Sequence, residues 1–139
     1  MKKAYLVVLA IFAGVIGIIS GILVYSHILI IGIQEIPTTI TVMDAIGIDT
    51  NTSGVIFGGV NPGGTSKRQV FLSQHMSDHA RVKIQAFGEF RDWIEVSEPY
   101  FSLKRNEGKK IDFIAKVPLN ATRKDYSGRI IVIYQKAFW

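Results

Sequence analysis

Between Ala4 and Ile33 the chain runs 30 residues without a charge, and 23 of them are apolar. From Gln34 onward the pattern changes to short apolar runs divided by Gly, Pro, Asn and charged clusters. A helix through the first stretch would reach about 45 Å, against a hydrocarbon layer about 30 Å thick. The pattern therefore predicts a membrane span at about Tyr5 to Val24. Tyr25, Ser26 and His27 would sit near the outer headgroups, with Ile28 to Ile33 continuing out of the bilayer. His27 reads as an interfacial residue rather than part of a proton path. Signal-peptide apolar cores run about 7–15 residues and end at a small-residue cleavage site. This run is longer, and no A-x-A site follows it. An uncleaved signal-anchor is the expectation.

The remainder predicts seven or eight short strands. Thr38 to Met43 is β-branched, and Val55-Ile56-Phe57 ends at Gly58-Gly59. Asn61-Pro62-Gly63-Gly64 signals a turn before Arg68 to Gln74. Val82, Ile84 and Ala86 alternate with Lys83 and Gln85. Trp93 to Val96 and Tyr100 to Leu103 are shorter, and Ile111, Phe113, Ala115 and Val117 alternate again. Arg129 to Gln135 is apolar on both faces, which places it centrally. Turn signals every 8–12 residues without a long amphipathic helix predict an all-β sandwich. The expected organisation is a cytoplasmic tip and transmembrane helix over 1–33 and an extracytoplasmic β domain over 34–139.

Charge sets the orientation. Lys2 and Lys3 precede the apolar run, and the next basic residue is Lys67, so the positive-inside rule puts the N-terminus in the cytoplasm. Subtracting those two lysines from the chain's +5 leaves +3 on the domain, too little to argue for nucleic acid. The chain has no cysteine, which excludes disulfides, thiolate metal sites and a cysteine nucleophile.

Several short motifs occur in a recognisable order. Phe57-Gly58-Gly59-Val60-Asn61-Pro62-Gly63 leads into Arg68-Gln69-Val70-Phe71-Leu72. Trp93-Ile94-Glu95-Val96-Ser97 and Phe101-Ser102-Leu103 follow, then Glu107-Gly108 and Ile111-Asp112-Phe113. Val117-Pro118 and Tyr126-Ser127-Gly128-Arg129-Ile130 complete the series. Over residues 55 to 134 this order resembles the immunoglobulin-like domains of the Hydin and major-sperm-protein type, which also occur in small membrane-anchored proteins of archaea and bacteria. Gln74 stands where an Asn often ends the second core strand, and Asn106-Glu107-Gly108 replaces a Pro-Gly turn. The resemblance implies an immunoglobulin-like sandwich that binds or scaffolds, and it implies no ligand.

Many motif residues have structural reasons to be present. Pro62-Gly63 sets a turn, and Gly128 allows a close approach where the last strand begins. Tyr126 can close a tyrosine corner, and Trp93 packs.

Candidate chemistry is sparse. His75 and His79 flank Asp78 and form the one metal-like cluster, in a loop that lacks an evident third ligand. Ser77-Asp78-His79 is contiguous, the wrong arrangement for a triad, and Glu95, Glu98 and Asp92 read as a polar face. No catalytic residue and no cofactor are expected. Lys104, Arg105, Lys109 and Lys110 flank one turn and form a basic loop suited to anionic headgroups or an acidic partner. Asn51-Thr52-Ser53 and Asn120-Ala121-Thr122 are glycosylation sequons at Asn51 and Asn120. Phe138 and Trp139 end the chain, either folded back or docked in a partner.

Ala13, Gly17 and Gly21, spaced by four, would let a second helix approach and could support a homo-oligomer. The expected function is a non-catalytic accessory subunit of a membrane or cell-envelope complex, tethered in the bilayer and contacting other envelope proteins. The alternative is a pilus-like or archaellum-associated structural subunit assembled through its N-terminal helix. Lys2-Lys3-Ala4 loosely resembles an archaeal pilin leader, although the Glu of a mature pilin helix is missing.

Overall fold

The structure, a computed structural model, describes residues 1–44 and 54–137, with the side chains of Lys2, Ser26, His27 and Ile28 outside that description. Two compact units make up the chain, Met1–Ile30 and Ile31–Trp139.

The first unit is one helix, α1 (Lys2–Leu29). Its segment Lys3–Tyr25 has a mean hydropathy of 2.8 and is long and apolar enough to cross a membrane. The described side chains of that segment are exposed all round. A helix apolar on every face needs an apolar surrounding, which a membrane provides.

β1 (Ile30–Val42) follows α1 with no residue between them. The strand thus begins eight residues ahead of the expected start at Thr38. Ile30, Ile31 and Ile33 are β-branched and Gly32 is a poor helix former, so helix propagation is weak there. Gln34 and Tyr134 then hold the early half of β1 in the sheet, the tyrosine hydroxyl donating to Gln34 Oε1 at 3.3 Å. Further along, Ile36, Thr38, Ile40 and Val42 are buried at every second position, the alternation of a half-buried strand.

Among the described residues seven more strands follow: β2 (Val55–Val60), β3 (Thr65–Ser73), β4 (His79–Gly88), β5 (Ile94–Val96), β6 (Tyr100–Lys104), β7 (Gly108–Lys116) and β8 (Asp125–Lys136). With β1 they form a five-stranded sheet in the order β2-β1-β8-β4-β6 and a three-stranded sheet in the order β3-β7-β5. β8 is central in the larger sheet, as its two apolar faces predict. Val42 N donates to Lys124 O at 3.0 Å while Gln34 meets Tyr134, so β1 and β8 run antiparallel. β1 and β2 run parallel, from Thr38 opposite Val55 to Val42 opposite Val60.

Trp93 lies in a 3-10 turn (Arg91–Trp93) rather than in the strand expected from Trp93 onward. β5 and β6 divide one extended stretch between the sheets. β5 pairs with β7, and β6 then pairs with β4. Strands that switch sheets in this way make the corners of two-layer β domains.

One core lies between the sheets. Ile40, Val82, Leu103, Ile130 and Val132 from the larger sheet meet Leu72, Ile111 and Phe113 from the smaller, each at most 1% exposed. Each such side chain stabilises by about 1.5–3 kcal/mol through removal from water. The β2–β3 edge is closed by side chains: Arg68 Nε donates to Ile56 O at 2.7 Å and Ser66 Oγ to Phe57 O at 2.8 Å. Those bonds satisfy carbonyls that an edge strand would otherwise leave open.

Candidate functional site

One end of the β unit gathers the start of β1, the end of β8 and the β3–β4 and β6–β7 connections. Gln74 organises it. The side chain is 2% exposed, and its amide nitrogen donates to Ser77 O at 2.6 Å and Leu103 O at 3.4 Å. Its Oε1 accepts from Met76 N at 3.1 Å and Ser77 N at 3.0 Å. The Gln74 backbone continues the clamp, donating to Glu107 O and accepting from Asn106 N. Asn106 adopts φ 61° in the β6–β7 turn, a conformation that Asn tolerates better than most residues. The Gln74 and Asn106 backbones are therefore hydrogen-bonded to each other.

His75 Nδ1 lies 2.7 Å from Asn106 Oδ1. His79 opens β4 opposite Lys104, and its carbonyl accepts from Ser77 Oγ and from Ala137 N. Among the described residues no group of three or more His, Cys or carboxylate side chains is arranged to hold a metal ion. Ser77 thus bonds the histidine's backbone, and Asp78 pairs with Arg105 at 3.1 Å. All three carboxylates read as a polar face are in ion pairs, Glu95 with Lys116, Glu98 with Lys109 at 2.6 Å and Asp92 with Arg91 at 3.5 Å.

The basic residues flank the β6–β7 turn as expected. Arg105 and Lys109 have carboxylate partners there, and Lys109 Nζ also stands 5.3 Å from the Phe101 ring centroid. The Glu107 carboxylate accepts from Lys104 N at 2.7 Å. Across the smaller sheet Asp112 accepts from Lys67 at 2.8 Å and Gln69 at 2.9 Å, and these donors hold its carboxyl below the usual range. Burial raises the Tyr134 phenol.

The opposite end carries Asn120. Asn120 is exposed in a turn closed by Ala121 N on Pro118 O at 3.1 Å. Gly63 takes φ 77° beside Leu119, which is 86% exposed. Asn51, Phe138 and Trp139 lie outside the described residues, as does the His27 side chain. On α1, Ala13, Gly17 and Gly21 are exposed, and a Cβ added at Gly14, Gly17 or Gly21 would meet nothing within 4 Å.

The sequence reading missed a groove of about 390 Å³ between the early half of β1 and β3, lined by Glu35, Ile36, Pro37, Gln69, Val70 and Phe71 among others. Its one surface signal was Phe71, an aromatic at an outward strand position, 63% exposed. Comparison with protein-family models, with curated proteins and with solved structures gave no match.

Proposed function

We propose that this chain is a non-catalytic, single-pass membrane protein. α1 stays in the bilayer as an uncleaved anchor with Lys2 and Lys3 in the cytoplasm. The β unit is an immunoglobulin-like sandwich presented on the other side for contact with a further membrane or envelope protein, of which this chain is an accessory subunit. One observation carries the reading: α1 ends at Leu29, β1 starts at Ile30, and β1 lies inside the five-stranded sheet with Ile40 and Val42 in the core. A leader cut beyond the apolar run would be cut in a strand of the folded domain.

The strand pairing supports the immunoglobulin-like reading in part. β3 with β7 and β4 with β8 correspond to the B–E and C–F pairs of that architecture, and β6 beside β4 to the added C′ strand. The place beside F, where the last strand G belongs, is taken by β1 from the N-terminal side. The resemblance of the sequence motifs runs through the same strands.

The test is fractionation of the full chain with a C-terminal tag. Membrane association that survives alkaline carbonate, an intact Met1 peptide by mass spectrometry and digestion of the domain by protease added to spheroplasts are expected. A tagged species starting beyond α1 would overturn the anchor reading. Loss of only Met1 to Ala4 would favour the filament-subunit alternative.

A further inference from the structure

The end of the β unit where β1 starts carries an unbalanced positive charge. Segments 73–79, 104–110 and 134–137 meet there, since His79 stands opposite Lys104, Ala80 opposite Lys136 and Ser73 opposite Gly108. Together they hold five cations (Lys104, Arg105, Lys109, Lys110 and Lys136) against two carboxylates, Asp78 and Glu107. Arg105 and Lys109 have carboxylate partners, whereas among the described residues the side chains of Lys104 and Lys110 have none. At the far end Arg123 and Lys124 are both paired, with Asp44 at 2.7 Å and Glu89 at 3.3 Å.

Apolar side chains stand among these cations. Met76 in the β3–β4 connection is 58% exposed and packs on β1, where a Cβ added at Gly32 would lie 2.8 Å from its methyl carbon. Ile33 is exposed one residue further along, and the exposed Phe71 ring covers Gly108 at the start of β7. Binding to a membrane surface grows with buried apolar area and with attraction to anionic lipid, so the two features act together.

The connection to α1 brings that surface within reach. In the anchor reading the apolar segment ends at Tyr25, and the helix runs four residues further, to Leu29. Four helical residues rise about 6 Å, and one headgroup layer is about 5–8 Å deep. No residue separates α1 from β1. β1 therefore starts at the bilayer surface, with no linker to carry its end of the domain away. Attraction to a charged surface acts over about 8 Å at physiological ionic strength.

We propose that this end of the β unit docks on anionic phospholipid headgroups, with Lys104 and Lys110 meeting the phosphates and Met76 entering the layer. This rests on the anchor reading above. It makes the bilayer, rather than an acidic protein, the surface that the basic β6–β7 turn meets.

The full chain is placed in nanodiscs of phosphatidylcholine alone and of phosphatidylcholine mixed with phosphatidylglycerol, each with a trace of lipid bearing a gadolinium-chelating headgroup. Broadening of amide signals by that headgroup reports which residues reach the surface. The tether brings the start of β1 close in either lipid, so the readout is the difference between the two lipids. In the anionic discs the amides of residues 75–78 and 104–110 are expected to broaden and those of residues 61–64 and 119–122 to stay sharp. The contrast should weaken in neutral discs and in high salt. A lysine near an anionic surface contributes a factor of about five, so Lys104→Gln with Lys110→Gln should lower the docked-to-undocked ratio about 25-fold. Both side chains are exposed, and Lys110→Gln alone, with an effect of about fivefold, replaces the pair if it melts early. Met76→Ser should lower the ratio with the charge unchanged. Equal broadening in the two lipids, or a ratio unchanged by the lysine substitutions, would overturn the docking. So would an acidic protein that co-purifies with the wild type, is lost from the lysine variant and leaves the lipid response flat. A flat response in a chain that keeps α1 ends the docking alone, whereas a mature chain beginning beyond α1 ends the anchor reading and removes the tether on which the docking depends.

Discussion

The Tyr126 hydroxyl donates to the Thr122 carbonyl at 3.0 Å, four residues upstream, while its ring meets Trp93 edge-on at 4.7 Å between centroids. One side chain thus ties the turn before β8 to the 3-10 turn before β5. Tyr126→Phe keeps the ring and removes the bond, so a loss of about 1 kcal/mol is expected. Tyr126→Ala also removes the ring contact and is expected to cost about 3–5 kcal/mol. Denaturant midpoints of the full chain in detergent measure both. A Phe variant as unstable as the Ala variant would show that the hydroxyl, rather than the ring, dominates.

Gln74→Leu is expected to cost about 3 kcal/mol. The substitution fits the space but strips an acceptor from the Met76 and Ser77 amides and a donor from the Ser77 carbonyl. Buried groups left without partners cost about 1–3 kcal/mol each. Gln74→Glu would restore the acceptor and not the donor, at the cost of burying a charge. Amide hydrogen exchange at Met76 and Ser77 separates this from general destabilisation, since those two amides should lose protection first. Unchanged protection at both would count against the clamp.

Much of this arrangement was readable from the chain, and the unreadable parts share a cause. Alternation exposed β4 and β7, because Val82 and Ile84, like Ile111 and Phe113, face one core while their neighbours face out. The Tyr126 bond to backbone was legible because it is local. Alternation does not say which sheet a strand joins, so the passage from β5 on β7 to β6 on β4 was hidden. The early part of β1 was hidden because Ile30 to Ile33 continues the composition of the helix before it. Partners distant in sequence, Tyr134 on Gln34 and Arg129 on Glu35, favour the strand. The Gln74 clamp was hidden for the same reason, since its partners include Leu103 and Glu107.

Asp112 makes the stability of the domain depend on acid. Lys67, then Gln69, lower its pKa in the folded chain from an ordinary 3.8. The unfolded chain then binds the proton more readily, so stability rises with pH across this interval. The contribution is complete above the ordinary carboxylate range and is lost as pH falls through the folded value. Asp112→Asn should flatten that part of the acid limb through a loss of stability at neutral pH, small because exposed pairs are screened, with no change below the folded value. Urea midpoints between pH 2 and pH 7 measure this. An acid limb identical in the variant would show that the Lys67 bridge does not form in solution.

Gly128 opens the core pairing of β8 with β4 opposite Gly88. A Cβ built there would stand 2.3 Å from the Phe87 carbonyl oxygen and 2.7 Å from the Phe90 ring. The first of those atoms is backbone and cannot turn away. Phe90 is fully buried, so its ring has little room to yield. Gly128→Ala therefore gains nothing from its smaller unfolded-state entropy and is expected to destabilise by about 1–3 kcal/mol through overpacking. Gly14→Ala on α1 is the control, since its added Cβ would meet nothing within 4 Å. Thermal melts of the two variants in the same detergent separate the cases. If Gly128→Ala melts with the wild type, the approach of the two strands at Gly88 and Gly128 is looser than the structure has it.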